Sequence, residues 1–133
     1  MKLHSSAVHV GLFAIGAAWH ATAATGGSFC GALGCVSGVV NGSETIYTMN
    51  TTASSIDVGW MAVGFGQGMS DSFMVIMWEN DGELVLSQRK ATVNAEPQAL
   101  SVPPRVATVR ADLSSLTGAT KKFSFSISVC IDS

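Results

Sequence analysis

Histidine is missing from most of this 133-residue chain, because the only three, His4, His9 and His20, all precede residue 21. Without an imidazole in the remaining residues, neither a Ser-His-Asp nor a Cys-His catalytic arrangement can form there. The usual zinc and copper sites, which rely on imidazole, are excluded for the same reason. The sequence therefore argues against a hydrolase and against a common zinc or copper enzyme.

Long hydrophobic runs are also missing, since no apolar segment reaches the roughly 20 residues that span a bilayer. The N-terminus instead has the features of a secretory signal: Lys2, a short apolar segment from Val8 to Trp19, and the small-residue cleavage site Ala21-Thr22-Ala23. We therefore expect a signal peptide over 1–23, a single domain over 24–133, no transmembrane helix and an extracellular, secreted product.

Basic residues are scarce, with seven Lys and Arg against nine Asp and Glu and a formal net charge of −2. Loss of Lys2 with the signal peptide would make the net charge about −3. Nucleic acid is not an expected partner, because binding it requires a concentrated positive surface. The acids Asp71, Glu79, Asp81 and Glu83 lie close together in sequence, and such an acidic rim could steer docking of a protein. As hairpin residues they could equally be solvated.

Cysteine is limited to Cys30, Cys35 and Cys130. In a secreted chain Cys30 and Cys35 are expected to bridge and close a small loop, which leaves Cys130 without a partner. Two glycosylation acceptor triplets, Asn41-Gly42-Ser43 and Asn50-Thr51-Thr52, also fit a secreted eukaryotic product.

Short β-prone segments and turn signals make up the rest of the chain, without a helical period. Asn41-Gly42 and Asn80-Asp81-Gly82 are the strongest turn signals. The strands are predicted at 35–40, 44–50, 56–65, 72–78, 83–88, 105–113 and 121–129, with an irregular loop over 26–35 and a long connection over 91–104. Such a series predicts an all-β fold, an antiparallel β-sandwich.

Two of these strands carry more specific patterns. Ile56 to Phe65 has apolar residues on both faces, which predicts a central strand. Lys121 to Val129 alternates strictly between large apolar residues and serines, which predicts a half-buried strand with the serines towards solvent.

Met69 lies between glycines in the bend 66–71, which joins two apolar strands. A thioether is a soft ligand that suits haem iron, usually beside a histidine. Methionine also fills gaps in hydrophobic cores, and spacing alone favours that second interpretation. The glycines lead into a strand and not a helix, so they are not a phosphate-binding loop.

The string GWMAVGFGQGMSDSFMVIMW over 59–78, followed by ELVLSQRKAT over 83–92, closely resembles fungal DOMON-type cytochrome domains. These domains are found in cellobiose dehydrogenases and in DOMON proteins fused to cytochrome b-type transmembrane reductases. The similarity extends from about Ser28 to Ser128. It implies an immunoglobulin-like sandwich that binds haem b through one methionine and one histidine, and the family's methionine falls on Met69.

The resemblance also implies a function and a site. It implies an electron-transfer domain, not a catalyst by itself, with a flavin dehydrogenase domain or a transmembrane haem reductase as its electron partner. The side chains expected at the haem are Met69 as axial ligand, with Trp60, Phe65, Met74 and Met77 as candidate walls. Alternation alone does not say which face of the strands meets the cofactor.

The chain departs from the family at its C-terminal end. The family's histidine lies downstream, near the last strands, in a segment that this chain does not contain. The sequence therefore predicts a sandwich that is incomplete at its C-terminus, binds haem weakly or not at all, and exposes an aggregation-prone edge beside Phe123, Phe125, Ile127 and Val129. The alternative hypothesis is a haem-free β-sandwich module that binds carbohydrate or a protein partner.

Overall fold

The computed structural model describes residues 25–52 and 58–129, which form nine β-strands and one short 3-10 helix. These described residues contain no α-helix, and no helix among them has the length and apolar character needed to cross a bilayer. The strands are β1 (Gly26–Cys30), β2 (Gly34–Asn41), β3 (Glu44–Thr51), β4 (Trp60–Phe65), β5 (Phe73–Asn80), β6 (Glu83–Lys90), β7 (Gln98–Ala99), β8 (Ala107–Val109) and β9 (Lys122–Ser128), and the 3-10 helix is Ala111–Leu113.

The strands form two antiparallel sheets. The first sheet has the order β1-β2-β3-β9-β8, and the second has the order β4-β5-β6-β7. Most neighbours are consecutive in the chain, so hairpins account for most of the pairing, and β9 returns from the end of the described chain to lie between β3 and β8. The predicted antiparallel β-sandwich is confirmed.

Two short turns set the register of the sheets. Gly42 has a φ of +61° between β2 and β3, and Asp81 and Gly82 have φ of +50° and +81° between β5 and β6. Consecutive positive φ angles are those of a type I′ turn, which matches the twist of a β-hairpin. The Asp81–Gly82 turn pairs Asn80 with Glu83 and thereby fixes every later pair between β5 and β6.

The core lies between the two sheets. Its fully buried side chains include Met49, Phe123 and Phe125 from the first sheet and Val75 and Met77 from the second. Tyr47 stacks on Phe125, with ring centroids 5.0 Å apart. Burial of each of these side chains contributes about 1.5–3 kcal/mol to the stability of the fold. Because side chains alternate along a strand, the residues between them lie on the outer faces of the sheets.

The segment from Gly26 to Cys35 is not the irregular loop that the sequence predicts. It forms the hairpin of β1 and β2, in which Cys30 and Cys35 are paired in register and joined by a disulfide with Cα atoms 4.0 Å apart. The residues of β1 are all exposed. The strand therefore lacks the alternation of apolar and polar residues that would have predicted it from the sequence. Cys130 and the predicted signal peptide lie outside the described residues.

The strand β4 is an edge strand, so the prediction of a central strand is wrong. Among the strands that the structure describes, it pairs with β5 alone. The prediction assumed that apolar residues on both faces mean burial on both faces. Trp60 on the outer face is instead 64% exposed, and the beginning of the predicted strand at 56–57 lies outside the described residues.

The strand β9 is buried on both faces, so the prediction of a half-buried strand is wrong. Ser124 is fully buried, and its Oγ donates to the carbonyl of Leu113 over 3.1 Å and lies 3.1 Å from Oγ1 of Thr48. The segment that includes the 3-10 helix covers this serine face. β9 also pairs on both sides, with β3 and with β8, so the expected exposed edge beside it is not present.

The predicted strand over 105–113 is only partly a strand. β8 is limited to Ala107–Val109, and the chain then turns into the 3-10 helix. Ser114 at the end of this helix bonds the backbone of β9, since Ser124 N donates to its Oγ over 2.9 Å.

Candidate functional site

An apolar cleft of about 670 Å³ lies on the outer face of the second sheet. Pockets that bind cofactors commonly enclose about 300–1,000 Å³ and are lined mainly by apolar and aromatic side chains. The cleft is lined by Gly59, Trp60, Ala62, Met69, Met74, Ile76, Trp78, Arg89, Glu96 and Pro97.

Strand alternation explains how these residues come together. Met61 and Val75 point into the core, so their neighbours on β4 and β5 face outwards. The antiparallel register then places Trp60 opposite Trp78 and Ala62 opposite Ile76. The floor of the cleft is therefore a continuous apolar surface on the side of the sheet away from the core.

Met69 lies at the cleft on the bend between β4 and β5, with its side chain 53% exposed. The bend bonds to the chain after β6: Asp71 N donates to the carbonyl of Ala91 over 2.7 Å, and Ser70 Oγ donates to the carbonyl of Thr92 over 3.1 Å. These bonds fix the bend without burying the methionine. Its thioether is therefore available to a ligand and does not fill a gap in the core.

Two charged side chains complete the cleft. Arg89 on β6 is opposite Met74 in register, and it donates from Nη1 to the carbonyl of Pro97 over 3.2 Å. This bond holds part of the 91–97 connection beside β6, and Glu96 and Pro97 of that connection form one wall.

The structure brings together three of the five side chains expected at a haem, and Met77 is instead fully buried in the core. Met69, Trp60 and Met74 all line the cleft. Phe65 lies on the opposite face of β4, where its ring is 5.3 Å from that of Tyr47 in an edge-to-face contact. It lines a separate cavity of about 350 Å³ between the sheets and takes no part in the cleft.

The acidic residues do not form one rim. Asp71 and Glu79 lie at opposite ends of β5, about 26 Å apart at roughly 3.3 Å per residue. Asp71 lies 3.5 Å from Nζ of Lys90, and Glu79 lies 2.9 Å from Nζ of Lys121. This separation excludes the two carboxylates as a general acid and base acting together.

Several cleft residues were not singled out from the sequence. Ile76 and Trp78 follow Met74 at a spacing of two, and this spacing could have assigned them to the same face. The Asp81–Gly82 turn fixes the register that places Arg89 opposite Met74. Arg89 could therefore also have been assigned to this face from the sequence. Glu96 and Pro97 come from a long connection, and no local pattern indicates where that connection folds back.

Two solved structures share this fold. The cytochrome domain of Myriococcum thermophilum cellobiose dehydrogenase superimposes with a TM-score of 0.59 at 18% identity, over 80% of this chain and 56% of that one. The cytochrome b domain of pyranose dehydrogenase from Coprinopsis cinerea superimposes with a TM-score of 0.57 at 19% identity, over 71% of this chain and 50% of that one. The chain thus spans about half the length of these solved domains.

No curated protein matches the chain in sequence. The family model described as the cytochrome domain of cellobiose dehydrogenase matches residues 18–131. This match covers most of the chain, including every strand and the bend with Met69. The chain therefore belongs to the family of cellobiose dehydrogenase cytochrome domains.

Proposed function

We propose that this chain is a haem b-binding electron-transfer domain in which Met69 is an axial ligand and the apolar cleft is the haem site. The observation that carries the proposal is the exposed thioether of Met69 at an apolar cleft lined by Trp60 and Trp78. Methionine is otherwise among the residues most often buried, and thioether sulfur is an established axial ligand of haem iron.

The residues of the cleft fit haem b in several respects. The volume of about 670 Å³ is suitable for a cofactor, and most of the lining is apolar. When bound, haem b supplies one-electron chemistry. Trp60, Ile76 and Trp78 would exclude water from the flat faces of the ring, and Met69 would favour the reduced state of the iron.

Residues 25–129 contain no histidine to pair with Met69. Met69 is thus the single protein ligand of the family's usual pair that the described residues offer. We therefore propose that this chain alone holds haem b weakly, and that an added imidazole can take the second axial position.

The likeness to domains of two dehydrogenases supports a dehydrogenase as the electron partner. We propose that a flavin dehydrogenase domain delivers electrons to this domain, in preference to a transmembrane haem reductase. Trp60 is 64% exposed and Met69 is 53% exposed, so the site lies at the surface, where a partner can approach it. An N-terminus with the features of a signal peptide supports an extracellular location.

A haem titration of the protein, followed by visible absorption with and without imidazole, tests the proposal. The matched variants are Met69→Leu and Met74→Leu, because both residues line the cleft and a Met-to-Leu exchange conserves volume at a cost below about 1.5 kcal/mol. We expect a Soret shift in the wild-type protein that imidazole strengthens, loss of most haem affinity in Met69→Leu, and little change in Met74→Leu. Absence of a shift in the wild-type protein with imidazole would refute the proposal.

A specific observation favours the alternative function of carbohydrate binding. Trp60 and Trp78 are directly opposite each other on the outer face of the second sheet, and Trp60 is exposed where the sequence suggested burial. An exposed tryptophan beside a half-buried one can stack on sugar rings. If haem leaves the spectrum unchanged and a soluble β-glucan quenches the tryptophan fluorescence, the alternative replaces the haem proposal.

A further inference from the structure

The guanidinium of Arg89 lies in the same cleft as Met69 but on a different strand. Arg89 is on β6, directly opposite Met74 of β5 and Ala99 of β7. It therefore belongs to the outer face of the second sheet and lines the cleft near the 91–97 connection. It places a positive charge beside the apolar floor of the cleft.

The protein partners of Arg89 are both neutral. Its Nε donates to the hydroxyl of Ser87 over 3.0 Å, and its Nη1 donates to the carbonyl of Pro97 over 3.2 Å. A guanidinium has five N–H donors, so these two bonds leave other N–H groups of Arg89 available to a ligand. They also hold the side chain in place, which lowers the entropy lost when a ligand binds.

Arg89 also lacks a carboxylate partner within the described residues. The salt bridges there are formed by Lys90, Arg110 and Lys121. Arg110 is the informative comparison, because it holds both Glu44 at 2.6 Å and Asp112 at 2.9 Å. Arg110, which joins two elements, is thus neutralised by carboxylates, whereas Arg89 at the cleft forms no salt bridge with a described residue and shares this property with Arg105 at the separate cavity.

We infer that Arg89 receives a carboxylate of the bound ligand, so that the cleft selects flat apolar molecules that carry a carboxylate group. This inference rests on the proposed function, in which the ligand is haem b and the carboxylate is one of its propionates. Arginine suits this role because its planar fork matches the geometry of a carboxylate.

Glu96 should have the opposite effect from Arg89 on the binding of a carboxylate ligand. It also lines the cleft, and it forms no salt bridge with any described residue. Its charge opposes that of Arg89, so it disfavours a carboxylate in its vicinity. Removal of the positive charge should weaken binding of a carboxylate ligand, and removal of the negative charge should strengthen it.

The test compares iron protoporphyrin IX with its dimethyl ester, which has the same ring and iron but no carboxylate. Binding to the full chain is measured with imidazole present, as in the haem titration, by quenching of tryptophan fluorescence, because Trp60 and Trp78 line the cleft. A hydrogen bond to a charged group contributes about 1.5–3 kcal/mol, so the wild-type protein should bind the free acid roughly tenfold or more tightly than the ester.

Three variants assign the preference to Arg89. Arg89→Gln should bind both compounds as weakly as the wild-type protein binds the ester, and Glu96→Gln should widen the preference. Arg105→Gln is the matched control, because Arg105 lines the separate cavity between the sheets, and it should behave as the wild-type protein does. Arg89→Lys, which keeps the charge, should retain part of the preference and shows by its thermal melt whether the position tolerates substitution.

The outcomes separate this inference from the proposed function. If the wild-type protein binds the acid and the ester equally, or if Arg89→Gln keeps the preference, haem binding stands and the role of Arg89 is refuted. If neither compound binds, the proposed function fails and the role of Arg89 fails with it.

Discussion

One residue without a side chain, Gly66, determines how the bend with Met69 is folded. A Cβ built on Gly66 would collide with the hydroxyl of Ser72. Ser72 is only 4% exposed, and its Oγ donates to the carbonyl of Gly68 within the same bend. Because the hydroxyl of Ser72 is buried and bonded within the bend, the position of Met69 should depend on the absence of a side chain at residue 66.

Gly66→Ala should therefore displace the bend and weaken haem binding. Overpacking of this kind costs about 1–3 kcal/mol of folding free energy. We expect a lower midpoint of unfolding in urea, together with a reduced haem affinity in the imidazole titration.

Gly68→Ala is the control for this prediction. A Cβ on Gly68 meets no atom within 4 Å, so its effect on stability should stay within about 0.5 kcal/mol. Equal destabilisation by the two alanines would show that the contact between Gly66 and Ser72 does not define the bend.

At the scale of elements, Arg110 ties the 3-10 helix to β3. Its Nη1 lies 2.6 Å from Glu44 and its Nη2 lies 2.9 Å from Asp112. The hydrogen bonds from Arg110 hold the pKa of Asp112 below its usual value. Because the 3-10 helix covers the buried serine face of β9, this ion pair stabilises the cover of a central strand.

The lowered pKa of Asp112 predicts how stability depends on pH. The ionised carboxylate contributes its full stabilisation above the unfolded pKa of about 3.9, and the contribution is lost as the pH falls through the lower folded value. Thermal melts between about pH 5 and pH 2 should show a steeper loss of stability in the wild-type protein than in Asp112→Asn. Parallel curves for the two proteins would contradict the role given to this pair.

Elements were predictable from sequence where local chemistry determines them. Gly42, Asp81 and Gly82 adopt positive φ angles in the turns that Asn41-Gly42 and Asp81-Gly82 predict, and both hairpins are present. The burial of Ser124 was not predictable, because its partners come from Thr48 and the 3-10 helix, far from β9 in sequence. The edge position of β4 was missed since alternation cannot distinguish the wall of an apolar cleft from a core.

Because alternation cannot distinguish a cleft wall from a core, the candidate site was predicted only in part. The motif singled out Met69, Trp60 and Met74, and the structure places these three at one cleft. It also singled out Phe65, which is on the other side of β4, and Met77, which is in the core. A period of two defines two faces but does not say which one is the core. That choice depends on the packing of the whole first sheet against Met77 and Val75.

At the scale of the whole molecule, the cleft and the core lie on opposite faces of the second sheet. The core uses Val75 and Met77, whereas the cleft uses Met74, Ile76 and Trp78 of the same strand. Substitutions in the cleft should therefore alter ligand binding with little effect on the packing of the sandwich. This separation allows the proposed bond between the sulfur of Met69 and haem iron to be tested without disturbing the core.

The most direct measurement is the NMR spectrum of the methionine methyl groups in the reduced, haem-loaded protein with imidazole present. The chain has six methionines, and a methyl group bound through its sulfur to haem iron lies directly over the ring, where the ring current shifts its resonance far upfield. We predict that one methyl resonance shifts in this way and that Met69→Leu removes it. A spectrum with no such resonance, or one that survives in Met69→Leu and disappears in Met74→Leu, would contradict the assignment of Met69.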